Sequence, residues 1–173
     1  MSQTYGLTPE EIQELSKRAA AAKDVSYSPY SNFRVGCALL CEDGSWVIGA
    51  NIENASYPVT ICAERTALVK AITEGKKRFR AIGLSVDVSP PASPCGMCRQ
   101  FIREFSDGSV PIFMYGKEVG ECVVRTLGEL LPMSFGPDDL PDRGARSQIL
   151  SGSLLVNDNI AGLCHTCVLE GLG

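Results

Sequence analysis

Residues 61–68 read ICAERTAL, and they begin a segment with helical spacing of apolar residues. We predict a helix over residues 60–74, because Gly75 is typical of the position just after a helix C-terminus. Cys62 and Glu64 then lie in its first turn, where a helix N-terminus stabilises a thiolate. A single cysteine cannot hold a metal ion alone, so the stretch raises the question of further ligands.

Residues 93–101 read SPCGMCRQF and supply two more thiols, Cys95 and Cys98, at the start of another predicted helix. Three thiolates suit Zn²⁺, and three protein ligands with an open fourth position are typical of a catalytic zinc site. A carboxylate at Glu64 can face that open position without binding the metal. It could then transfer protons there as a general acid and base.

Other interpretations of these residues remain open at this point. A C-x-x-C motif alone is also typical of redox sites and of structural zinc sites, which usually have four protein ligands. A redox motif would explain Cys95 and Cys98 but neither Cys62 nor Glu64. Taken alone, Cys62 is best interpreted as a core residue and Glu64 as a helix-start acid. The combination favours a catalytic metal site.

The surrounding pattern predicts an α/β fold with a mixed sheet. A hairpin around Asp43-Gly44 is antiparallel, whereas helical crossovers favour parallel pairing. Thr8 caps the first predicted helix, which ends near residue 23. The remaining predicted elements are strands 33–41, 45–52, 81–87, 110–115 and 121–126 and helices 60–74, 95–106 and 127–132.

Length and composition narrow the class of protein. The 173 residues are 45% hydrophobic and 21% charged, which is typical of one globular domain. A net charge of −4 and no basic run longer than residues 76–78 argue against a nucleic-acid partner. The N-terminal residues do not resemble a signal peptide and no apolar segment could span a membrane, so we expect a cytoplasmic protein without membrane contact.

The segments CAE (62–64) and PCGMCRQ (94–100) together resemble the signature of zinc-dependent cytidine deaminases in its three-cysteine form. The resemblance to the small homotetrameric type covers about residues 7–140. It includes YSPYSNFRVGCALL (27–40), GANIENASYP (49–58) and LLPMSFGPDDL (130–140). The resemblance implies a three-layer α/β/α fold with a mixed five-stranded sheet in a deaminase domain over 1–140. Residues 141–173 are then a C-terminal extension of unknown structure.

The resemblance also implies a reaction. Cytidine, and with it 2′-deoxycytidine, would be hydrolysed to uridine and 2′-deoxyuridine with release of ammonia, as in pyrimidine salvage. Cys62, Cys95 and Cys98 would bind Zn²⁺, and zinc-bound hydroxide would attack C4 of the base. Glu64 would shuttle protons, and Arg65 would offset the negative charge of the thiolates.

Seven residues are assigned to substrate binding by the same resemblance: Phe33, Asn51, Glu53, Tyr57, Ala63, Ser93 and Phe135. The backbone N–H of Ala63 and the carbonyl of Ser93 would hold the edge of the base, and Phe33 would pack against the pyrimidine. Without the resemblance, Phe33 would be interpreted as a core residue.

The other four substrate-binding residues are assigned to contacts with the sugar or with a neighbouring subunit. Asn51 and Glu53 alternate along the end of a strand, so both can reach one ligand, and their oxygen and nitrogen atoms suit a ribose hydroxyl. Tyr57 and Phe135 match positions that reach a neighbouring subunit's pocket. We therefore expect a homotetramer with shared pockets and a small nucleoside as substrate.

Two alternatives to cytidine deamination remain. One is a deaminase of a related aminopyrimidine nucleoside, such as blasticidin S. The other, from a different class, is a non-catalytic protein with structural zinc, against which Glu64 and the missing fourth ligand argue.

The remaining thiols have simpler interpretations. We expect Cys37, Cys41 and Cys122 to be buried apolar residues. Cys164 and Cys167 form a weak second metal motif. The only histidine, His165, lies beside them in the tail, so a site with a histidine ligand does not fit the matched region.

Overall fold

The structure is a computed structural model that describes residues 4–140. Its strands are β1 Val35–Cys41, β2 Trp46–Ala50, β3 Phe79–Val86, β4 Pro111–Tyr115 and β5 Cys122–Thr126. Its helices are α1 Pro9–Ala22, α2 Ala63–Thr73, α3 Gly96–Arg103 and α4 Leu127–Leu130. The sheet has the order β2-β1-β3-β4-β5, with β3 and β4 parallel and the other pairs antiparallel. The five-stranded mixed sheet predicted from the sequence is therefore present.

Alternation along the strands separates two apolar layers. On one face, Leu39 of β1 packs in a cluster with Leu68 of α2 and Ile102 of α3. On the other face, Leu40 of β1 packs with Leu15 of α1. Helices therefore cover both faces of the sheet, and the site helices α2 and α3 lie on the same side.

Two strand glycines let helix backbones approach the sheet closely. A Cβ at Gly36 would lie 2.1 Å from the carbonyl oxygen of Ala19 in α1. A Cβ at Gly49 would lie 2.4 Å from the backbone nitrogen of Ala67 in α2. Any larger residue at Gly49 would push α2 away from the sheet, so this contact sets where the start of α2 lies.

Helix α2 begins later than the spacing predicts. Residues Tyr57–Val59 form a separate 3₁₀ turn, and Cys62 is the N-cap of α2 with an extended backbone. Beyond Gly136, where the compact unit that contains the sheet ends, the structure describes one 3₁₀ turn, Pro137–Asp139. Within residues 4–140, no helix is both long enough and apolar enough to cross a bilayer.

The predicted burial of cysteines is confirmed for two of three positions. Cys37 and Cys41 are buried on the face of β1 that contacts α2. The prediction for Cys122 is wrong: this residue begins β5, the edge strand, and is exposed. Cys164 and Cys167 lie outside the described residues, as does His165.

Candidate active site

Two helix starts bring three thiols together. Cys62 is the N-cap of α2, Cys95 is the N-cap of α3, and Cys98 lies one turn further along α3. Neither N-cap side chain accepts a capping hydrogen bond from the backbone of its own helix, so both sulfurs can face each other. Their separation is 3.9 Å, and all three sulfurs lie within 4.8 Å of one another.

This spacing fits a zinc ion. Zn–S bonds of about 2.3 Å in a tetrahedron place ligand sulfurs roughly 3.8 Å apart. Among residues 4–140, these cysteines are the only group of three or more side chains placed to share a metal ion. Three sulfurs leave one position of the tetrahedron open.

The thiols of the sulfur cluster and a neighbouring arginine change one another's pKa values. Arg65 Nη2 lies 3.7 Å from the Cys62 sulfur and 3.2 Å from the carbonyl oxygen of Thr60. Hydrogen bonding from Cys98, with support from Arg65, lowers the pKa of Cys62 to about 5. The same contact with Cys62, together with burial, raises the pKa of Cys98. Arg65 thus contacts the Cys62 sulfur, and the charge-offsetting role that the resemblance implies for it stays a prediction.

Glu64 lies beside this cluster and is almost inaccessible to solvent. Its exposed fraction is 4%, although it is a carboxylate in the first turn of α2. Burial raises the pKa of Glu64, and the negative charge on Cys62 adds to the effect. A buried carboxyl with a raised pKa takes up a proton more readily than a solvated one, which suits general acid–base work.

A cavity of about 370 Å³ opens in front of these groups. Seven of the residues predicted from the sequence line it: Phe33, Asn51, Glu53, Cys62, Glu64, Ser93 and Cys95. Its apolar wall comes from Val35 at the start of β1 and from Leu84 and Val86 at the end of β3. The sequence pattern predicts strands for these three residues but does not predict that they line a pocket.

A family model described as "Cytidine and deoxycytidylate deaminase zinc-binding region" matches residues 9–114. The chain belongs to this deaminase family. The resemblance inferred from the motifs is therefore confirmed, and the family match and the sulfur cluster together support zinc as the cofactor.

Two curated relatives of this deaminase share one name, and each matches this chain over most of its own length. "Cytidine deaminase" of Sporosarcina psychrophila is 43% identical over 130 residues, which are 75% of this chain and 95% of the relative. "Cytidine deaminase" of Halalkalibacterium halodurans is 46% identical over 130 residues, covering 75% of this chain and 98% of the relative.

Solved structures of cytidine deaminases share the fold. The enzyme from Burkholderia pseudomallei gives a TM-score of 0.69 at 39% identity, covering 75% of this chain and all of that one. The enzyme from Mycobacterium tuberculosis gives a TM-score of 0.63 at 35% identity, covering 73% and 98%. The predicted α/β/α fold class of this deaminase is therefore confirmed.

The deaminase cavity presents Asn51 with most of its hydrogen-bonding capacity already used. Its Oδ1 accepts from the Ser26 hydroxyl at 2.6 Å and from the Val35 N–H at 2.8 Å. Its Nδ2 donates to the Phe33 carbonyl at 2.8 Å. Asn51 is 7% exposed, so this amide holds the loop before β1 as well as lining the cavity.

Glu53 is oriented by the same loop. One carboxylate oxygen, Oε2, accepts the N–H groups of Tyr30 at 3.0 Å and Ser31 at 3.2 Å. The other, Oε1, accepts the Ser31 hydroxyl. The Ser31 bond is the largest cause that lowers the pKa of Glu53, so the carboxylate is held in its ionised form.

The other three predicted substrate residues of this deaminase are not among those that line the cavity. Ala63 is fully buried as the first residue of α2. Tyr57 is exposed, and its ring lies 5.8 Å from that of Tyr30 beside a neighbouring cavity of about 270 Å³. Phe135 is also exposed, and its carbonyl accepts from Gln100 Nε2 at 2.9 Å. Neither aromatic ring lines the cavity that contains Glu64.

Arg99 is a further residue near the deaminase site that the sequence pattern alone does not assign to it. Arg99 donates to the Pro94 carbonyl through Nε at 2.7 Å, to the Leu130 carbonyl at 2.7 Å and to the Ser93 hydroxyl at 2.8 Å. It therefore fixes the loop that leads into Cys95. Its place in the PCGMCRQ motif was a signal that could have drawn attention to it.

Proposed function

We propose that this protein hydrolyses cytidine and 2′-deoxycytidine to uridine and 2′-deoxyuridine, with release of ammonia. The observation that carries the proposal is one cavity lined by two thiols of the three-sulfur cluster and by the buried Glu64, and also by the polar side chains of Asn51 and Glu53. The name shared by the relatives supports cytidine as a substrate.

Cys62, Cys95 and Cys98 would hold the zinc ion, and Zn²⁺ bound there supplies Lewis-acid activation of water. Arg65 adds positive charge beside the Cys62 sulfur. Three thiolates on a divalent cation carry a net negative charge, which disfavours ionisation of water. A guanidinium at this contact distance partly offsets that charge.

Glu64 would carry the protons of the reaction. It takes one from the attacking water and delivers it to N3 of the cytosine ring, and a second proton goes to the departing amino group. Water supplies both protons and the oxygen at C4, so cytidine and water give uridine and ammonia in balance. The buried position of Glu64 beside the thiols supports this role.

The rest of the cavity would hold the nucleoside. Phe33 would pack against the pyrimidine, and the carbonyl of Ser93 and the N–H of Ala63 would bind the edge of the base. Asn51 and Glu53 would bind a ribose hydroxyl, since an amide N–H can donate to it and a carboxylate can accept from it. Val35, Leu84 and Val86, the apolar strand residues of the cavity, would exclude water from the pyrimidine ring.

The proposal includes assembly and location. Tyr57 is 68% exposed and Phe135 is 59% exposed, so both rings are accessible for burial against other subunits. We propose a homotetramer in which these rings complete neighbouring pockets, acting in the cytoplasm in pyrimidine salvage. We also propose that residues 1–140 form the catalytic domain and that residues 141–173 are an extension of it.

The test is turnover by the purified, zinc-loaded protein, followed by the loss of cytidine absorbance and by ammonia release. Glu64→Gln should lower kcat by at least about 10²-fold, the contribution of general acid–base catalysis, while zinc content stays unchanged. Glu10→Gln, an exposed acid in the first turn of α1, is the matched control and should keep full activity. Wild-type protein with full zinc that leaves both cytidines intact would refute the substrate assignment.

A further inference from the structure

The loop between α1 and β1 holds both residues of the proposed sugar-binding pair. In the part of the chain that the structure describes, the side chains of Asn51 and Glu53 make six hydrogen bonds, and the partner in each of them lies within residues 26–35. Four of those bonds involve backbone groups, which any sequence of this loop could supply. The two that need a particular side chain come from Ser26 and Ser31.

Ser26 determines what remains available on Asn51. An amide oxygen accepts two hydrogen bonds and an amide nitrogen donates two. With Ser26 and Val35 bonded to it, Oδ1 has no acceptor position left. Phe33 takes one N–H of Nδ2, which leaves one N–H to face a ligand.

Ser31 has an equivalent effect on Glu53. The Phe33 N–H donates to Ser31 Oγ at 3.0 Å, so the hydroxyl proton of Ser31 points to the carboxylate. Both acceptor positions of Glu53 Oε2 are occupied, because this oxygen accepts the backbone N–H groups of Tyr30 and Ser31. What Glu53 offers to the cavity is one acceptor position on Oε1, next to the bond from Ser31.

We propose that Ser26 and Ser31 are positioning residues for nucleoside recognition, a role that rests on the function proposed above. Their hydroxyls fill acceptor positions on Asn51 and Glu53, so the pair offers one donor and one acceptor. A sugar hydroxyl can accept from the amide and donate to the carboxylate at the same time. The two serines therefore set the polarity with which the cavity recognises a hydroxyl.

Single substitutions with two substrates test the role. The kcat/KM of Ser26→Ala and Ser31→Ala is compared for cytidine and for 2′,3′-dideoxycytidine, which lacks the ring hydroxyls. The preference for cytidine should fall about 3- to 10-fold for Ser26→Ala, the effect of one neutral hydrogen bond. It should fall roughly 10- to 100-fold for Ser31→Ala, because the lost bond is to a charged group.

Controls separate positioning from folding. Tyr27→Phe removes a hydroxyl from an exposed side chain of the same loop, and among the described residues this hydroxyl makes no hydrogen bond to the pair or to either serine, so the preference should be unchanged. Ser31→Thr keeps a hydroxyl and should restore it. Competition by uridine against 2′,3′-dideoxyuridine reports the same preference without turnover.

The outcomes are distinct. Loss of activity on both nucleosides by the same factor would mean that the serines only stabilise the loop, and the proposal would be overturned. An unchanged preference in both alanine variants would overturn it as well. Wild-type protein that deaminates neither nucleoside would instead refute the proposed function, and this role would fall with it.

Discussion

Gly49→Ala is the substitution that best tests whether packing of α2 against the sheet controls the chemistry. The added Cβ would lie 2.4 Å from the Ala67 nitrogen, 2.8 Å from the Ala67 Cα and 2.9 Å from the Ala63 carbonyl oxygen. Ordinary contact begins at 3.4 Å, so the α2 backbone must move by about 1 Å. Backbone atoms cannot rotate away as a side-chain end can, so the helix moves as a unit.

Two effects follow, and their sizes differ. Overpacking in a dense core costs about 1–3 kcal/mol of unfolding free energy. A displacement of about 1 Å at the start of α2 also moves Glu64 relative to the substrate, and such misplacement can lower a rate by about 10²-fold. We therefore expect a protein that still folds but has lost most of its kcat/KM for cytidine.

Gly36→Ala is the matched control, because its Cβ would lie 2.1 Å from a carbonyl oxygen of α1, which carries no proposed site residue. Unfolding in urea and kcat/KM of the folded protein are measured for both variants. Both should be destabilised, but Gly36→Ala should keep activity within about 3-fold of wild type, well short of the loss expected from a 1 Å misplacement. Wild-type activity in Gly49→Ala, or an equal loss in both variants, would refute the reasoning.

Two further predictions concern the metal and acid stability. Removing zinc with a chelator should abolish turnover and lower the melting temperature, because a metal that binds only the folded chain stabilises it; a melting temperature unaffected by zinc would contradict this. At Asp87, burial opposes ionisation, but hydrogen bonds from Lys23 and Arg34, both at 2.8 Å, outweigh it and lower the pKa. This contribution, about 0.2–1 kcal/mol for partly exposed pairs, is present above the unfolded aspartate pKa of about 3.9 and is lost as the pH falls through the lower folded pKa. Urea unfolding of Asp87→Asn should therefore show a deficit at pH 7 that shrinks towards pH 3, and a deficit independent of pH would exclude the ion pairs as its cause.

The sequence predicts correctly which residues of the site share a helix start, because that follows from local rules. Cys62 and Glu64 are two residues apart, and Cys95 and Cys98 are three apart, so helical geometry alone places each pair at a helix start. That the two helix starts meet depends on the sheet between them. The resemblance of separate segments to one family supplied that tertiary information.

Other features could not be predicted because they arise from contacts between distant segments. Gly49 gives no local signal of its contact with α2, since it is an ordinary strand residue by pattern. Cys122 follows the apolar pattern of a buried strand, yet its strand lies at the edge of the sheet. The internal bonds of Asn51 join residues that are up to 25 positions apart in the chain.

Asn51 restricts how an enzyme of this architecture can change its sugar preference. The same amide that lines the cavity also ties the Phe33 carbonyl to the Val35 N–H. An aspartate here would place an acceptor against the Phe33 carbonyl, and a serine is too short to span both groups. Variation for a different sugar is therefore more accessible at Glu53 and the serines around it. In a directed-evolution library, position 51 should stay asparagine even when selection favours a substrate without a ribose.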